Sequence, residues 1–321
     1  MKRFHAENFW LDSAINLCQQ AIALDPKQLR AYTELASAFE LKGSFDQMSE
    51  PVRTALELAP NDWDANRMAA AEFTEARREE DMYESIRKCF VTNPYDSWAP
   101  YQLALVCWTV GEKELAGKWM QRAMNLEPDP QRRHLMECER LVYSEEYAAA
   151  LPEVDRLPPD LMTQYSSAAD LALFCFMQIG DWPAVIRTVN VRLKADSENP
   201  TALLRLALAL HFLGHEADAR GTAEHAVTFA RQKLPTAKSP RWMRFDLAVS
   251  LRLLNQFEDA YRQLHDLLAN AGFPDPVLGP KDPGLDLFKP DNAFQSIMAD
   301  LKRQNEVKRA RILEVEKSFN P

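Results

Sequence analysis

Proline recurs at a fixed interval in the first half of the chain. The same spacing of 34 residues separates four of these prolines, which are Pro26, Pro60, Pro94 and Pro128. Between the first two, residues 29–60 read as an apolar helix, a turn at Gly43 and a second apolar helix. Proline cannot continue a helix and glycine commonly ends one, so this interval predicts a helix–turn–helix unit. A constant interval of this length predicts units stacked in a repeat array.

The composition agrees with a helical repeat protein and excludes some partners. Of 321 residues only 9 are glycine, while 46% are hydrophobic, which favours helices with a continuous core. The formal net charge is −9, which opposes attraction to nucleic acid or anionic lipid. No apolar run approaches the roughly 18 residues that a membrane-spanning helix needs. We therefore expect neither nucleic acid nor membrane among the partners.

The cysteines and the first residues bear on the compartment. The chain has 5 cysteines, an odd number, and none of them shows a C-x-x-C spacing. This pattern predicts small buried apolar side chains in a reducing compartment. Met1, Lys2 and Arg3 are followed by polar residues that interrupt any signal-peptide apolar region. The sequence therefore predicts a cytoplasmic protein.

The predicted helix ends, marked by proline and glycine, divide the chain into five segments. Within residues 129–165, the prolines at Pro152, Pro158 and Pro159 interrupt a second helix, so we expect a degenerate unit and a bend there. The predicted segments are N-terminal repeat units over 1–128, the degenerate unit over 129–165, C-terminal repeat units over 166–272, a proline-rich linker over 273–291 and a capping or tail helix over 292–321. The first unit is incomplete, which suggests that the chain starts inside a longer array or has lost an N-terminal module.

The last two segments differ from the repeats. Residues 273–291 contain five prolines and two glycines, which excludes a regular helix. Asp291 or Asn292 is a typical N-cap for a helix that continues to about Ser318. Its first half is expected to cap the array, since a terminal repeat must cover the exposed core. Its second half is expected to be a solvated tail, with a weak helix-pairing surface as the alternative.

The repeat pattern resembles the tetratricopeptide repeat. The resemblance rests on Leu-Ala in the first helix, glycine at the corner, spaced alanines in the second helix and a final proline. The segments AYTELA at residues 31–36 and AIALDP at residues 21–26 are particularly typical. The resemblance covers residues 14 to about 272. It implies an all-α fold, an α-solenoid of about eight antiparallel helix pairs with a C-terminal capping helix.

The resemblance also implies a concave groove lined by the first helix of each unit. Arg and aromatic side chains at its inward positions are typical of peptide-binding hot spots. The groove residues selected in this way are Arg30, Arg67, Trp98, Tyr101, Trp108, Arg132, Phe174, His211, Trp242, Phe245 and Arg252. For Trp98, Tyr101 and Trp108, packing between neighbouring helices is the open alternative. They predict a peptide or protein partner of acidic or aromatic character. The C-terminal helix offers a further surface for pairing between copies.

No motif in the sequence predicts catalysis, a metal or a cofactor. Residues 111–118, GEKELAGK, have five residues between the glycines where a phosphate-binding loop has four, and Trp119 follows where Ser or Thr is needed. His211 and His215 have a zinc-like spacing, but Gly214 ends the helix between them and no third ligand is in register. The chain is therefore predicted not to be an enzyme.

Two functions remain open from the sequence. The first is a non-catalytic scaffold that binds a peptide or a helical segment in the groove. The second is a regulatory or sensory tail of a bacterial signalling enzyme or transcription regulator whose effector module is absent from this chain. Its basis is the segment from Phe294 to Gln304, which is similar to the ends of tetratricopeptide tails in such regulators.

Overall fold

The computed structural model of the chain describes residues 2–157, 166–236, 240–270, 272–273 and 275–319. Within these ranges the regular structure is helical and contains no strand. The α-helices are α1 Lys2–Leu24, α2 Leu29–Lys42, α3 Ser49–Leu58, α4 Trp63–Ala76, α5 Glu79–Thr92, α6 Trp98–Thr109, α7 Lys113–Leu126, α8 Pro130–Tyr143, α9 Tyr147–Val154, α10 Ser166–Ile179, α11 Trp182–Ala195, α12 Pro200–Phe212, α13 Glu216–Lys233, α14 Pro240–Leu253, α15 Phe257–Asn270 and α16 Asn292–Phe319. The prediction of an all-α repeat array is confirmed.

Helices α2 to α15 form consecutive pairs, each made of a first and a second helix of one repeat. Helix α1 precedes them as one continuous helix, and its Ile15, Cys18 and Ile22 pack against the core under α2 and α3. It therefore occupies the place of a second helix from a unit before the first complete pair. Counted with this partial unit, the array agrees with the predicted number of about eight.

Every described corner between a first and a second helix contains a residue with positive φ. Glycine occupies four of these corners, at Gly43, Gly111, Gly180 and Gly214. Arg77, Glu145 and Asn255 take the same left-handed conformation at the other three, with φ of 56°, 69° and 59°. A left-handed residue ends a helix and turns the chain back. The corner at Glu145 shows that the degenerate unit keeps the geometry of its neighbours without the usual residue.

This geometry predicts opposite effects for two glycine substitutions. Gly43 has φ of +73° and Gly117 is an ordinary helical residue, yet a Cβ built at either position has no heavy atom within 4 Å. Gly43→Ala is expected to lower the free energy of unfolding by about 1–2 kcal/mol, because alanine is strained in the left-handed region. Gly117→Ala is expected to raise it by about 0.5–1 kcal/mol, because alanine is the better helix former. Urea denaturation of the two variants checks this, and a shift of the same sign in both would contradict it.

The structure separates into two compact units. Unit 1 comprises Met1–Glu127 with Gln304–Pro321, and unit 2 comprises Pro128–Arg303. In unit 1, one cluster of buried side chains lies between α1 and α4 and includes Leu35, Phe39 and Met68. Small residues such as Ala36, Ala55 and Ala69 are fully buried there, which allows neighbouring helices to approach closely.

In unit 2, residues that follow the last repeat form part of the hydrophobic core. We call residues 275–291 the post-repeat segment. Its Leu285 and Phe288 are buried with Phe245, Leu264 and other side chains of α14 and α15. Gly284 lies so close to α14 that a Cβ would be 2.8 Å from a methyl carbon of Val249. Short 3₁₀ turns fold the apolar residues of this segment onto the repeat helices.

Helix α16 confirms the predicted cap and corrects the predicted tail. Phe294 is buried in the core of unit 2, and Ile297, Met298 and Leu301 pack against the same cluster. From Gln304 onward the helix belongs to unit 1, where Ile312 is fully buried. The expectation of a solvated tail is wrong, because these later turns contact α5 and two corners of unit 1.

The polar contacts of these later turns are specific. Lys308 Nζ lies 2.5 Å from a carboxylate oxygen of Glu79, and Arg309 Nε lies 2.6 Å from one of Glu112. Both glutamates are buried, at 8% and 7% exposure. Since buried carboxylates need a partner, the basic residues of α16 supply the charge that unit 1 requires at these two corners.

Two further expectations, the bend and the absence of a membrane-spanning helix, can be compared only with the residues that the structure describes. The expected bend at Pro158 and Pro159 lies outside them, whereas Pro152 lies inside the short helix α9. In the described helices there is no stretch of sufficient length and apolarity to cross a membrane.

Candidate functional site

A half-exposed cluster of aromatic and basic side chains lies on the first helices of two successive repeats in unit 1. We call Trp63, Arg67, Trp98 and Tyr101 the aromatic patch. The rings of Trp63 and Trp98 meet edge to face with centroids 5.7 Å apart. The guanidinium carbon of Arg67 lies 6.0 Å from the Trp63 ring centroid. Spacings of three or four residues place Arg67 beside Trp63 on α4 and Tyr101 beside Trp98 on α6.

The electrostatics of the aromatic patch leave a positive charge available. In the part of the chain that the structure describes, Arg67 forms no ion pair, and its closest polar contact is with the sulfur of Met68 at 3.9 Å. The four side chains are neither buried nor fully exposed. Aromatic and arginine side chains of this kind are enriched at protein interfaces.

The other two groove residues predicted in unit 1 behave differently. Arg30 is exposed on α2 and pairs with Glu34, which is one turn away, at 3.4 Å. Trp108 is only 5% exposed, so of its two alternatives the packing one applies and its place among the groove residues is corrected. It lies one turn beyond the half-exposed part of α6, among the buried side chains Cys107 and Val110. Its ring therefore contributes to packing within the repeat.

In unit 2 the first helices do not form an open trough. The post-repeat segment lies against them and lines one side of a half-open cavity of about 540 Å³. Phe174 and Trp242, both predicted as groove residues, line this cavity together with Arg205 and Asp282. Trp242 is 38% exposed, whereas Phe174 is buried. The face that the repeat pattern assigns to a partner is thus partly occupied by the chain itself.

Two predicted groove residues of unit 2 are corrected for this reason. Phe245 is fully buried, and its ring centroid lies 6.3 Å from that of Phe273. The Arg252 guanidinium bonds Asp291 at 3.2 Å and lies over the ring of Phe288. Neither side chain is open to a partner, because residues after the last repeat already cover both.

The remaining predicted residues of unit 2 lie apart from each other. Arg132 is half-buried on α8. His211 is near the end of α12, where Nδ1 lies 3.0 Å from a carboxylate oxygen of Glu216 and the ring meets Phe212 edge to face. His215, the other member of the zinc-like pair, is the N-cap of α13. Among the described residues, no three potential metal-ligating side chains cluster.

A buried network of charges lies behind the cavity. The Arg205 guanidinium donates to Asp282 Oδ2 at 2.7 Å, and both side chains are at least 94% buried. Asp246 is 1% exposed and accepts a hydrogen bond from the Thr201 hydroxyl. Burial raises the pKa of Asp246 to about 6, against the lowering effects of Arg205 and Thr201. Desolvation therefore outweighs the nearby positive charge at this carboxyl.

This raised pKa predicts how the stability of unit 2 depends on pH. The ordinary pKa of 3.8 describes the unfolded state, so the native state binds the proton more tightly. The resulting stabilisation is present at low pH and is lost as the pH rises through about 6, a change on the order of 2–3 kcal/mol. Asp246→Asn is expected to flatten this part of the curve of unfolding free energy against pH, whereas exposed Asp218→Asn leaves it unchanged. An unaltered slope in the first variant would contradict the assignment.

The four buried cysteines offer no reactive thiol in the structure, whereas Cys18 is partly exposed. Cys89, Cys107, Cys138 and Cys175 are fully buried, as the sequence predicted, and all five cysteines are free. Burial raises the pKa of Cys89, Cys138 and Cys175 to about 12, so these thiols stay protonated at neutral pH. A protonated thiol is a poor nucleophile and a poor metal ligand.

Sequence reasoning missed several residues of these surfaces. Trp63 was not predicted because the inward positions assigned to each first helix begin at its second residue. Trp63 is the first residue of α4. Arg205 and Asp282 escaped because they are far apart in sequence. An arginine between Leu204 and Leu206 in an otherwise apolar helix was a usable signal, because a buried charge requires a partner.

The comparisons with known proteins agree on architecture. No protein-family model matches the chain, and no curated protein matches it. Among solved structures, a tetratricopeptide repeat protein from Parabacteroides merdae aligns with a TM-score of 0.60 and 13% identity, covering 75% of this chain and 92% of that one. Yeast Tom70 aligns with a TM-score of 0.54 and 12% identity, covering 95% of this chain and 62% of that one. At these identities the likeness concerns the fold, and the fold of this chain is that of a tetratricopeptide α-solenoid.

Proposed function

We propose that this chain is a protein-interaction scaffold and that it binds a segment of a partner protein at the aromatic patch of unit 1. The observation that carries the proposal is the arrangement of Trp63, Arg67, Trp98 and Tyr101, half-exposed on adjacent first helices. Trp, Tyr and Arg dominate binding energy at protein interfaces, because each supplies a large contact area together with a polar or charged group.

The patch also determines which partner chemistry is favoured. Arg67 carries a charge that no carboxylate neutralises within the described residues, so an acidic side chain of the partner gains an ion pair there. The two tryptophans and Tyr101 provide faces for an aromatic or apolar side chain. A segment that carries both types of residue fits this surface better than a basic one.

The face of unit 2 contributes less to this proposal. Phe245 and Arg252, two of its predicted contacts, are engaged by Phe273 and Asp291. A partner at those positions would have to displace buried side chains of the post-repeat segment, such as Phe288. The proposal therefore places the main contact in unit 1.

A pull-down with a matched control tests the proposal. The full chain is used to capture partners from an extract of its own cells, alongside the Trp98→Ala/Tyr101→Ala variant and the Tyr95→Ala variant. Tyr95 is 83% exposed, lies just before α6 and is outside the aromatic patch. We expect the double variant to lose about 90% or more of the captured partner, which corresponds to about 1.4 kcal/mol. Tyr95→Ala should retain it. Equal capture by all three proteins, with unchanged helical circular dichroism, would overturn the proposal.

A further inference from the structure

The cavity in unit 2 is large enough for a ligand and has a mixed lining. Its volume of about 540 Å³ lies within the range of small-molecule sites. Three walls come from the first helices of successive repeats, including Phe174, Arg205 and Trp242. The fourth wall is the post-repeat segment, through Asp275, Leu278 and Asp282. A non-repeat segment thus supplies one side of a half-open site on the face of the array.

The charges around the cavity are predominantly negative. Among the described lining residues there are three aspartates and two arginines. Arg205 is already neutralised by Asp282 at 2.7 Å, and Arg192 by Asp170 at the same distance. Asp275 is left without a basic partner of this kind in the lining, although its Oδ1 accepts two backbone hydrogen bonds. Lys281, the cation near Asp275, lies outside the lining and pairs with Glu145 at 3.1 Å. The lining therefore holds one carboxylate more than it holds arginines.

A further carboxylate behind the wall increases this imbalance. Asp246 lies next to Arg205, and its Oδ1 is buried without a hydrogen-bond partner among the described residues. Arg205 is consequently shared between two carboxylates. An anionic ligand would have to separate an existing pair, whereas a cationic ligand meets surplus acceptors.

The aromatic lining supports the same choice of ligand. Trp242, which is 38% exposed, and the buried Phe174 line the same cavity as the carboxylates. An ammonium or guanidinium group gains from such faces as well as from ion pairing. The apolar lining, including Leu171 and Leu278, suits an aliphatic stem. The Asp170 side chain is 59% exposed, so one of the charged groups can be reached from solvent.

We propose that this cavity binds a positively charged ammonium or guanidinium group carried on an apolar stem. The group belongs either to a small molecule or to a lysine or arginine side chain of a protein. The site is distinct from the aromatic patch of unit 1. A negative result for either site therefore leaves the proposal for the other one unchanged.

The test uses the full chain with n-butylammonium as the probe, and with n-butyrate and butyramide as the anionic and neutral controls. Binding is followed by ligand-observed NMR in Asp170→Asn, Trp242→Ala and the control Glu224→Gln, an exposed position on α13. We expect saturable binding of n-butylammonium alone, weakened about tenfold in each of the first two variants and unchanged in the third. Equal or tighter binding of n-butyrate, unchanged affinity in both cavity variants, or no saturable binding of n-butylammonium would overturn the proposal.

A second arm distinguishes the source of the cation. A blocked glycyl-lysyl-glycine peptide and its norleucine counterpart are titrated against the same proteins. Tighter binding of the lysyl peptide than of n-butylammonium, lost in the norleucine peptide, supports the site and assigns the cation to a protein. Binding of n-butylammonium without the peptide supports the site and assigns the cation to a small molecule.

Discussion

Replacing Arg205 with alanine is expected to lower the free energy of unfolding of unit 2 by about 3–5 kcal/mol. Arg205 is 5% exposed and is the positive partner of Asp282, with Asp246 as its second carboxylate neighbour. Removing it leaves buried negative charges without compensation, which costs more than the interaction itself contributes. The measurement is urea denaturation combined with hydrogen exchange read in helix α12.

Two further variants separate charge from packing in this result. Arg262→Ala removes an arginine of α15 whose side chain is 64% exposed and whose partner is Asp259, so its expected effect is below about 1 kcal/mol. Arg205→Met combined with Asp282→Asn removes both charges of the pair and keeps an acceptor for the backbone N–H of Gly284. We expect the pair of substitutions to cost less than Arg205→Ala alone. If the pair costs as much or more, the loss came from packing and the charge argument is wrong.

The second large effect is expected at the end of helix α16. Glu316 accepts a hydrogen bond from the Tyr83 hydroxyl at 2.6 Å and pairs with Arg87 at 3.0 Å. Both partners are almost fully buried, and burial raises the pKa of Tyr83 well above its ordinary value. Glu316→Ala leaves the charge of Arg87 without its carboxylate, so we expect unit 1 to lose about 2–4 kcal/mol.

The same variant should release the later turns of α16 from unit 1. Arg87 lies 4.8 Å from the ring centroids of both Trp119 and Phe319, so the carboxylate of Glu316 completes a layered contact. Hydrogen exchange over residues 304–319 is expected to accelerate in Glu316→Ala. The control is Glu314→Ala, whose side chain is 68% exposed and pairs with Arg311. Unchanged exchange in Glu316→Ala, or equal acceleration in both variants, would show that this contact does not hold the helix.

The repeat fold could be predicted because its determinants are local. The recurring proline, the corner glycines and the spaced alanines are each visible within one 34-residue interval. The corner at Glu145 was not visible, since glutamate is an unusual residue for a φ of 69°. There the packing of the neighbouring helices fixes the turn, and Glu145 adopts a positive φ that is unfavourable for a non-glycine residue.

The docking of the later turns of α16 and the cavity could not be predicted, because their contacts join distant parts of the sequence. Lys308 and Glu79 are 229 residues apart, and Gln178 donates to the carbonyl of Lys281 across 103 residues. A repeat pattern specifies how each unit packs on the next, but it does not specify what a non-repeat segment covers. For this reason Phe245 and Arg252 were assigned to an open groove that the post-repeat segment occupies.

Site-specific photo-crosslinking shows whether the proposed aromatic patch of unit 1 contacts a partner, with benzoylphenylalanine placed at Tyr101 or, as the control, at Tyr95 in the full chain. We expect a covalent adduct with a co-purifying protein from position 101 and none from position 95. An adduct of equal yield from position 95, or none from position 101 while the partner still co-purifies, would rule out the patch as the contact surface.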